Sequence, residues 1–209
     1  PRQVSSYHLM LQKELRILFA YALLIPCLVF LSRTAAASTN LGVVVWGVRA
    51  SGGDWLQVAS RLGGNVKAIY STKQSFAALK IDGEVVTWGH SRYGGDSSAV
   101  ASQLRSDVST ISSTFWSFAA LKTGGEVITW GDPQDGGDAS EVASQLRSDV
   151  STIFSNECSF AALKTPGEVV TWGEPSYGGD SSEVASQLGS DVSTIFSNEC
   201  SFAALKTPG

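Results

Sequence analysis

The chain has 209 residues, 43% of them hydrophobic and 16% charged, with a formal net charge of −4. The hydrophobic share is ample for a packed core. The acidic balance is a poor match to a polyanion, so nucleic acid is not an expected partner.

Taken from the start, residues 17–31 form an uncharged apolar run, preceded by Lys13 and Arg16 and followed by Ala35, Ala36 and Ala37. A basic flank, a short apolar core and a small-residue site are the parts of a secretory signal peptide. The run falls short of the roughly 20 residues of a membrane span. Residues 1–37 are therefore expected to be a signal peptide or, because Arg33 interrupts the usual cleavage region, a retained signal anchor. Either predicts a secreted chain or one in the endomembrane lumen, with membrane contact only if the segment is kept. The chain begins at Pro1 and stops within a turn at Gly209, which reads as a fragment of a longer frame.

After residue 37 the sequence repeats. Trp-Gly pairs start at Trp46, Trp88, Trp130 and Trp172, a constant spacing of 42. In the unit that starts at Val150, three strands are expected at 150–154, 160–164 and 168–172. A Pro-Gly turn joins the second and third. A loop over 173–179 then leads to a short helical segment, Ser181–Leu188. Complete strand triplets are expected at 66–89, 108–131 and 150–173, with a first strand pair at 192–206 and a lone third strand at 43–47. Residues 148–167 and 190–209 are identical, the mark of recent duplication.

Local chemistry accounts for several residues. Asp180 with Glu183, and Asp138 with Glu141, fit a capping box, and Asp54 with Gln57 is the amide version. Gly178-Gly179 suits a chain reversal. Gly-Gly-Asp also raises a calcium reading, but calcium-binding repeats of that kind recur about every nine residues. The structural turn is the expectation, and no metal or cofactor is predicted. Cys27 lies in the apolar run, while Cys158 and Cys200 are equivalent positions of consecutive units. No C-x-x-C pair exists, so zinc is not expected. A bridge between Cys158 and Cys200 would need Cα atoms within about 7 Å. Both are read as copied free thiols, and the bridge stays open.

Both faces of each strand are apolar. Phe160 and Ala162 point one way, Ala161 and Leu163 the other. A sheet buried on both sides must lie between neighbours. Three-stranded sheets packed in series describe an all-β propeller. The recurrent Trp is then a core residue.

The pattern V-x-x-I, then S-F-A-A-L-K-x-x-G-x-V-V-x-W-G, then Y-G-G resembles the RCC1 (regulator of chromosome condensation) repeat and covers residues 41–209. The short period and the V-A-S-Q-L segment are most similar to the compact-repeat branch typified by the secreted β-lactamase inhibitor propeller. The resemblance implies an RCC1-like β-propeller of three-stranded blades, incomplete in this chain, because family rings usually hold seven. The end pieces could instead combine into one blade of a four-bladed ring. Departures limit what else it implies. The family's His before the Ala-Leu strand is replaced by Ser75, Ser117, Ser159 and Ser201. The Asn after Trp-Gly is absent and Gly-Gln is replaced by Gly-Gly. Nucleotide exchange on a GTPase is therefore not implied, and the G-W-R-H-T motif of the plant ultraviolet receptors is missing.

Units of one chain can be compared with each other. The hairpins barely vary, whereas the loop after Trp-Gly and the pair before the second strand do. The loop reads 48–51, 90–93, 132–135 and 174–177; the pair reads Lys73-Gln74, Phe115-Trp116, Glu157-Cys158 and Glu199-Cys200. Variable tips on a constant scaffold are where recognition usually sits. The candidate partner-binding residues are Arg49, His90, Arg92, Tyr93, Phe115, Trp116 and Tyr177, several of them hot-spot types. His90 is the only histidine after residue 37, and no nucleophile–base order can be built on it. The expectation is a non-enzymatic scaffold that binds a protein through rim loops. The alternative is a structural or adhesive repeat protein whose loops bind nothing specific.

Overall fold

The computed structural model describes residues 42–207, so the expected signal segment and its Cys27 lie outside the described residues. Four antiparallel sheets follow one another along the chain. The first holds β1 (Val66–Ser71), β2 (Ser75–Lys80) and β3 (Val85–Gly89). The second holds β4 (Val108–Ser113), β5 (Ser117–Lys122) and β6 (Val127–Gly131). The third holds β7 (Val150–Ser155), β8 (Ser159–Lys164) and β9 (Val169–Gly173). The fourth pairs β10 (Val192–Ser197) with β11 (Phe202–Lys206). The three expected triplets and the final pair are all present, so the three-stranded sheet in series is the unit of the fold.

Register repeats from sheet to sheet. Ala120 faces Ile111 on one side and Ile128 on the other; Ala162 faces Ile153 and Val170 in the same way. Each first strand carries an irregularity after its opening Val, at Val108/Thr110 and at Val150/Thr152. An extra residue of this kind turns the strand, so that residues three apart share a face. That is why Val150 and Ile153 are both buried despite the odd spacing of V-x-x-I.

The sheets pack face to face through small and large residues in alternation. Ala77, Leu79 and Val85 of the first sheet meet Ile111, Phe118, Ala120, Ile128 and Trp130 of the second. Ala119, Leu121 and Val127 of the second meet Ile153, Phe160, Ala162, Val170 and Trp172 of the third. Ala161 and Leu163 face the fourth through Val192 and Ile195. Within each complete sheet, Phe and Trp on adjacent strands stack at 5.3, 5.2 and 5.1 Å. The Trp130 and Trp172 indoles donate to Gly94 O and Gly136 O at 3.0 and 3.1 Å, pinning each sheet to the loop before it. Trp88, Trp130 and Trp172 are thus core, whereas Trp46, which precedes the first sheet, is 83% exposed.

The Gly-Gly step follows from the same packing. Gly136 has φ +90°, and a Cβ there would lie 2.6 Å from the Phe160 ring. Only glycine lets the loop cross that ring without displacing it.

Two expectations need correction. Residues 43–47 form no paired strand; Val43 and Val45 instead pack beside Val86 and Trp88. Without a partner strand in the described chain, that segment keeps its apolar contact but no ladder. The second concerns the cap: the helical segment of the third unit keeps its expected place to within one residue, but Asp180 and Glu183 form no capping box. The segment is a 3-10 turn at Ser182–Val184 running into α1 (Ala185–Leu188), and in the two preceding units only the 3-10 turns Ser98–Val100 and Ser140–Val142 remain. Asp96, Asp138 and Asp180 accept from the backbone N–H two residues on, each at 2.9 Å. They make a tight Asx turn rather than a capping box. Among the described residues no helix is long and apolar enough to cross a membrane, and no cluster of three or more His, Cys, Asp or Glu could hold a metal.

Candidate functional site

The two variable regions meet in space. Each loop after Trp-Gly is fastened to the corner before the second strand of its own sheet. His90 N–H donates to Gln74 O at 2.9 Å, Asp132 N–H to Trp116 O at 3.0 Å and Glu174 N–H to Cys158 O at 3.1 Å. Buried side chains complete the anchorage from below. Ser75 Oγ donates to His90 O and Ser159 Oγ to Glu174 O, both at 2.9 Å. Thr72 Oγ1 donates to Tyr93 O at 3.2 Å and Asn156 Nδ2 to Tyr177 O at 2.6 Å. In the second sheet, Ser117 Oγ and Thr114 Oγ1 both donate to Asp135 O.

These anchors are a functional layer that the sequence reading passed over. Ser75, Ser117 and Ser159 were noted only as departures from a family pattern. The signal was present as T-x-x-S and N-x-x-S at a fixed offset from the variable loop. A buried hydroxyl needs a partner, and the loop carbonyl supplies it.

The corners themselves form a ladder across the sheets. Lys73 N–H donates to Phe115 O at 2.9 Å, Phe115 N–H to Glu157 O at 2.8 Å, and Glu157 N–H to Glu199 O at 3.2 Å. Residues 42 apart thus stand side by side on one rim. A cleft of about 630 Å³ runs along it, lined by Lys73, Phe115, Glu157 and Glu199 with Ser, Thr and Asn between them.

Five of the seven candidate residues fall together at one end of this rim. Tyr93 stacks on His90 and packs tilted against Trp116, with ring centroids 4.5 Å apart in both pairs. Lys73 Nζ lies 3.5 Å from the centre of the Phe115 ring and 5.3 Å from that of Trp116. Such cation–π contacts hold the ammonium in place while leaving it wet. Arg92 Nε donates to Asp132 Oδ2 at 2.8 Å, across one repeat. His90, Arg92, Tyr93, Phe115 and Trp116 are therefore one patch, with Lys73 as a member the sequence reading left out. Arg49 stands apart, 3.9 Å from Asp54.

Tyr177 occupies the same position two units after Tyr93 but has different company. Its phenol is pushed up by Cys200 and Cys158 first, with Glu157 and Glu174 adding to the effect. Burial pushes the Cys158 thiol up to about 12, helped by the hydrogen bond it donates to Asp135 and by the charges of Glu157 and Glu174. Burial also raises Asp135, and Asp132 and Glu174 add to this against the Cys158 hydrogen bond and Arg92. Cys158 and Cys200 are both free.

Two other depressions, one larger and one smaller than the rim cleft, lie elsewhere. One of about 930 Å³ is lined by residues including Asp138, Gln145, Val170 and Trp172, and one of about 540 Å³ by Asp96, Gln103, Ile128 and Trp130. The second set is the first displaced by one repeat. A hollow made by the constant residues of every unit belongs to the scaffold, so the variable rim is the better candidate for recognition.

No family model matches the chain, and no curated protein matches it. Among solved structures it is similar to human WBSCR16, at 22% identity over 55% of this chain and 35% of that one, with a TM-score of 0.36. It is also similar to yeast RCC1 (Prp20) bound to Kap60, at 17% identity over 52% of this chain and 29% of that one, TM-score 0.38. A third similarity is to Prp20p from Saccharomyces cerevisiae, a protein described with its binding to Gsp1p and histones. There the values are 18% identity, 68% of this chain, 37% of that one and a TM-score of 0.40. The chain spans about a third of the length of these structures. The strand order and packing described above, not these likenesses, carry the architecture.

Proposed function

We propose that the chain is a non-enzymatic, exported RCC1-like scaffold that recognises a protein partner through its variable rim. The observation that carries this reading is the aromatic and cationic patch of Lys73, His90, Arg92, Tyr93, Phe115 and Trp116. Aromatic residues and Arg gathered on an anchored edge are the composition of a binding hot spot. The backbone beneath them is held by the same corner-to-loop hydrogen bond in each of the three complete sheets, so the side chains carry the difference between units. Export is supported by the basic flank, apolar run and small-residue site before residue 38.

The test is partner capture by the full chain and by Trp116→Ala, Tyr93→Ala and Arg92→Ala, with the thermal midpoint measured alongside. Loss of a captured protein by at least about tenfold, with folding retained, supports recognition. Capture that no rim variant changes favours the structural or adhesive alternative. Sequencing the N-terminus of the mature protein tests export; a chain starting near Ser38 is expected.

A further inference from the structure

We propose that the rim cleft takes an extended peptide segment with an acidic end and a basic end, laid so that its acidic end lies at Lys73 and its basic end at Glu199. This rests on the reading of the rim as a recognition surface and names the chemistry of what it holds. Because Lys73, Phe115, Glu157 and Glu199 are joined in order by backbone hydrogen bonds, their side chains form one row along a single cleft. The row is electrically polar. At one end stands Lys73, over the Phe115 and Trp116 rings and beside the Tyr93–Trp116 pair. At the other stand Glu157, Glu174 and Glu199. Arg92 and Asp132 neutralise each other, so the pair adds no net charge to the row.

A uniformly charged partner gains at one end of such a row and is repelled at the other. A segment whose charges change sign along its length gains at both. Ser113 Oγ and Ser197 Oγ already donate to Ser71 O and Ser155 O, each at 2.9 Å. Thr72, Thr114 and Asn156 are spent on the loops. Those groups are already partnered, so discrimination falls to the charged and aromatic side chains at the row's top. The Phe115 and Trp116 faces supply apolar contact next to the acidic end of the ligand.

The experiment uses the full chain and three short dye-labelled peptides of equal length, followed by fluorescence anisotropy at physiological salt. One has an acidic half, a Gly-Ser centre and a Lys half; the others are acidic throughout or Lys throughout. The mixed peptide is expected to bind at least about tenfold more tightly than either uniform one. Lys73→Glu is expected to weaken the mixed peptide by about tenfold while improving the Lys peptide; Glu199→Lys is expected to weaken the mixed peptide and improve the acidic one. Both residues are exposed, so the fold should survive either change, and circular dichroism checks this. Equal or tighter binding of the Lys peptide would mean simple attraction to an acidic chain and overturns the proposal. So does absence of mixed-peptide binding at millimolar concentration. If the peptide fails while Trp116→Ala still abolishes capture of a protein partner, the cleft inference falls and the recognition reading stands. If both fail, the recognition reading falls too.

Discussion

The rim over the first and second sheets and the rim over the third and fourth share a backbone and differ in chemistry. At each corner the same N–H meets the same carbonyl, and a buried Ser fastens each loop, at its first residue through Ser75 and Ser159 and at its fourth through Ser117. Yet the pair Phe115-Trp116 becomes Glu157-Cys158 one repeat later, and Tyr93, packed between His90 and Trp116, becomes Tyr177 among carboxylates and thiols. The difference teaches that this fold separates what holds the chain from what the chain presents. The holding residues face inward or down, and the presented ones stand on top, where packing does not choose them.

The strongest way to break the comparison is to make the two rims alike. Phe115→Glu with Trp116→Cys gives the second unit the corner of the third. Partner capture is expected to fall by more than about a hundredfold, since a hot-spot aromatic is worth about 2–4 kcal/mol. Stability should fall by only about 1–2 kcal/mol, the sum of an aromatic pair and a cation–π contact. Calorimetry and capture on the same preparation check both halves. A collapse of folding would mean that the corner residues belong to the core after all.

The second effect is a rate. Cys158, raised to about 12 by burial and by its hydrogen bond to Asp135, should be alkylated on the order of a hundredfold more slowly than an ordinary exposed thiol at pH 8. Cys200 is exposed and should react first. Mass spectrometry of a timed iodoacetamide reaction reads the order, and equal rates would refute the Cys158–Asp135 contact.

A third test sits at the boundary between the two rims. Asp132 is 5% exposed and holds both Arg92 and the backbone N–H of Gln134. Arg92→Ala leaves that carboxylate without its counter-charge and should cost about 1–3 kcal/mol. Adding Asp132→Asn should return much of the loss, because an amide needs no counter-charge. Chemical denaturation of wild type, single and double variants measures it; a double variant as weak as the single one would argue against the pairing.

Much of the architecture was legible because the signals were redundant. The Trp-Gly spacing, the alternating Phe-Ala-Ala-Leu strand and the glycines each pointed to the same stacked sheets, and β2, β5, β8 and β11 lie where they were expected. The first strands were legible only in part. V-x-x-I breaks the two-residue period, and it took the irregularity after Val108 and Val150 to bring Val and Ile to one face. The helical segment Ser181–Leu188 was legible to within a residue, but its capping box was not realised, because Asp180 closes an Asx turn on the Ser182 N–H instead. The candidate site was found by variation among units, which gave His90, Arg92, Tyr93, Phe115 and Trp116. It missed Lys73, whose role depends on a ring one repeat away. It grouped Arg49 and Tyr177 with the others because sequence position cannot report which neighbour a loop faces.

The smallest effect expected is also the one that isolates the acidic half of the comparison. The Asp135 carboxyl is raised, first by burial and then by Asp132 and Glu174, with the Cys158 hydrogen bond and Arg92 opposing. A carboxyl whose folded pKa exceeds its unfolded one binds its proton more tightly in the folded chain. Its stabilising contribution is therefore present below the ordinary Asp range and is lost as pH rises through the raised value. Asp135→Asn removes that titration but keeps an oxygen for the Cys158 thiol. The variant should match wild type near pH 3, where both side chains are neutral. It should become the more stable of the two as pH rises above about 4, the ordinary Asp value, and keep that lead at pH 7. Thermal midpoints across this range give the sign directly. A variant weaker than wild type at pH 7 would mean that the Asp135 charge is wanted by its neighbours. The acidic rim would then be a network held by Arg92, not a set of carboxylates crowded by the fold.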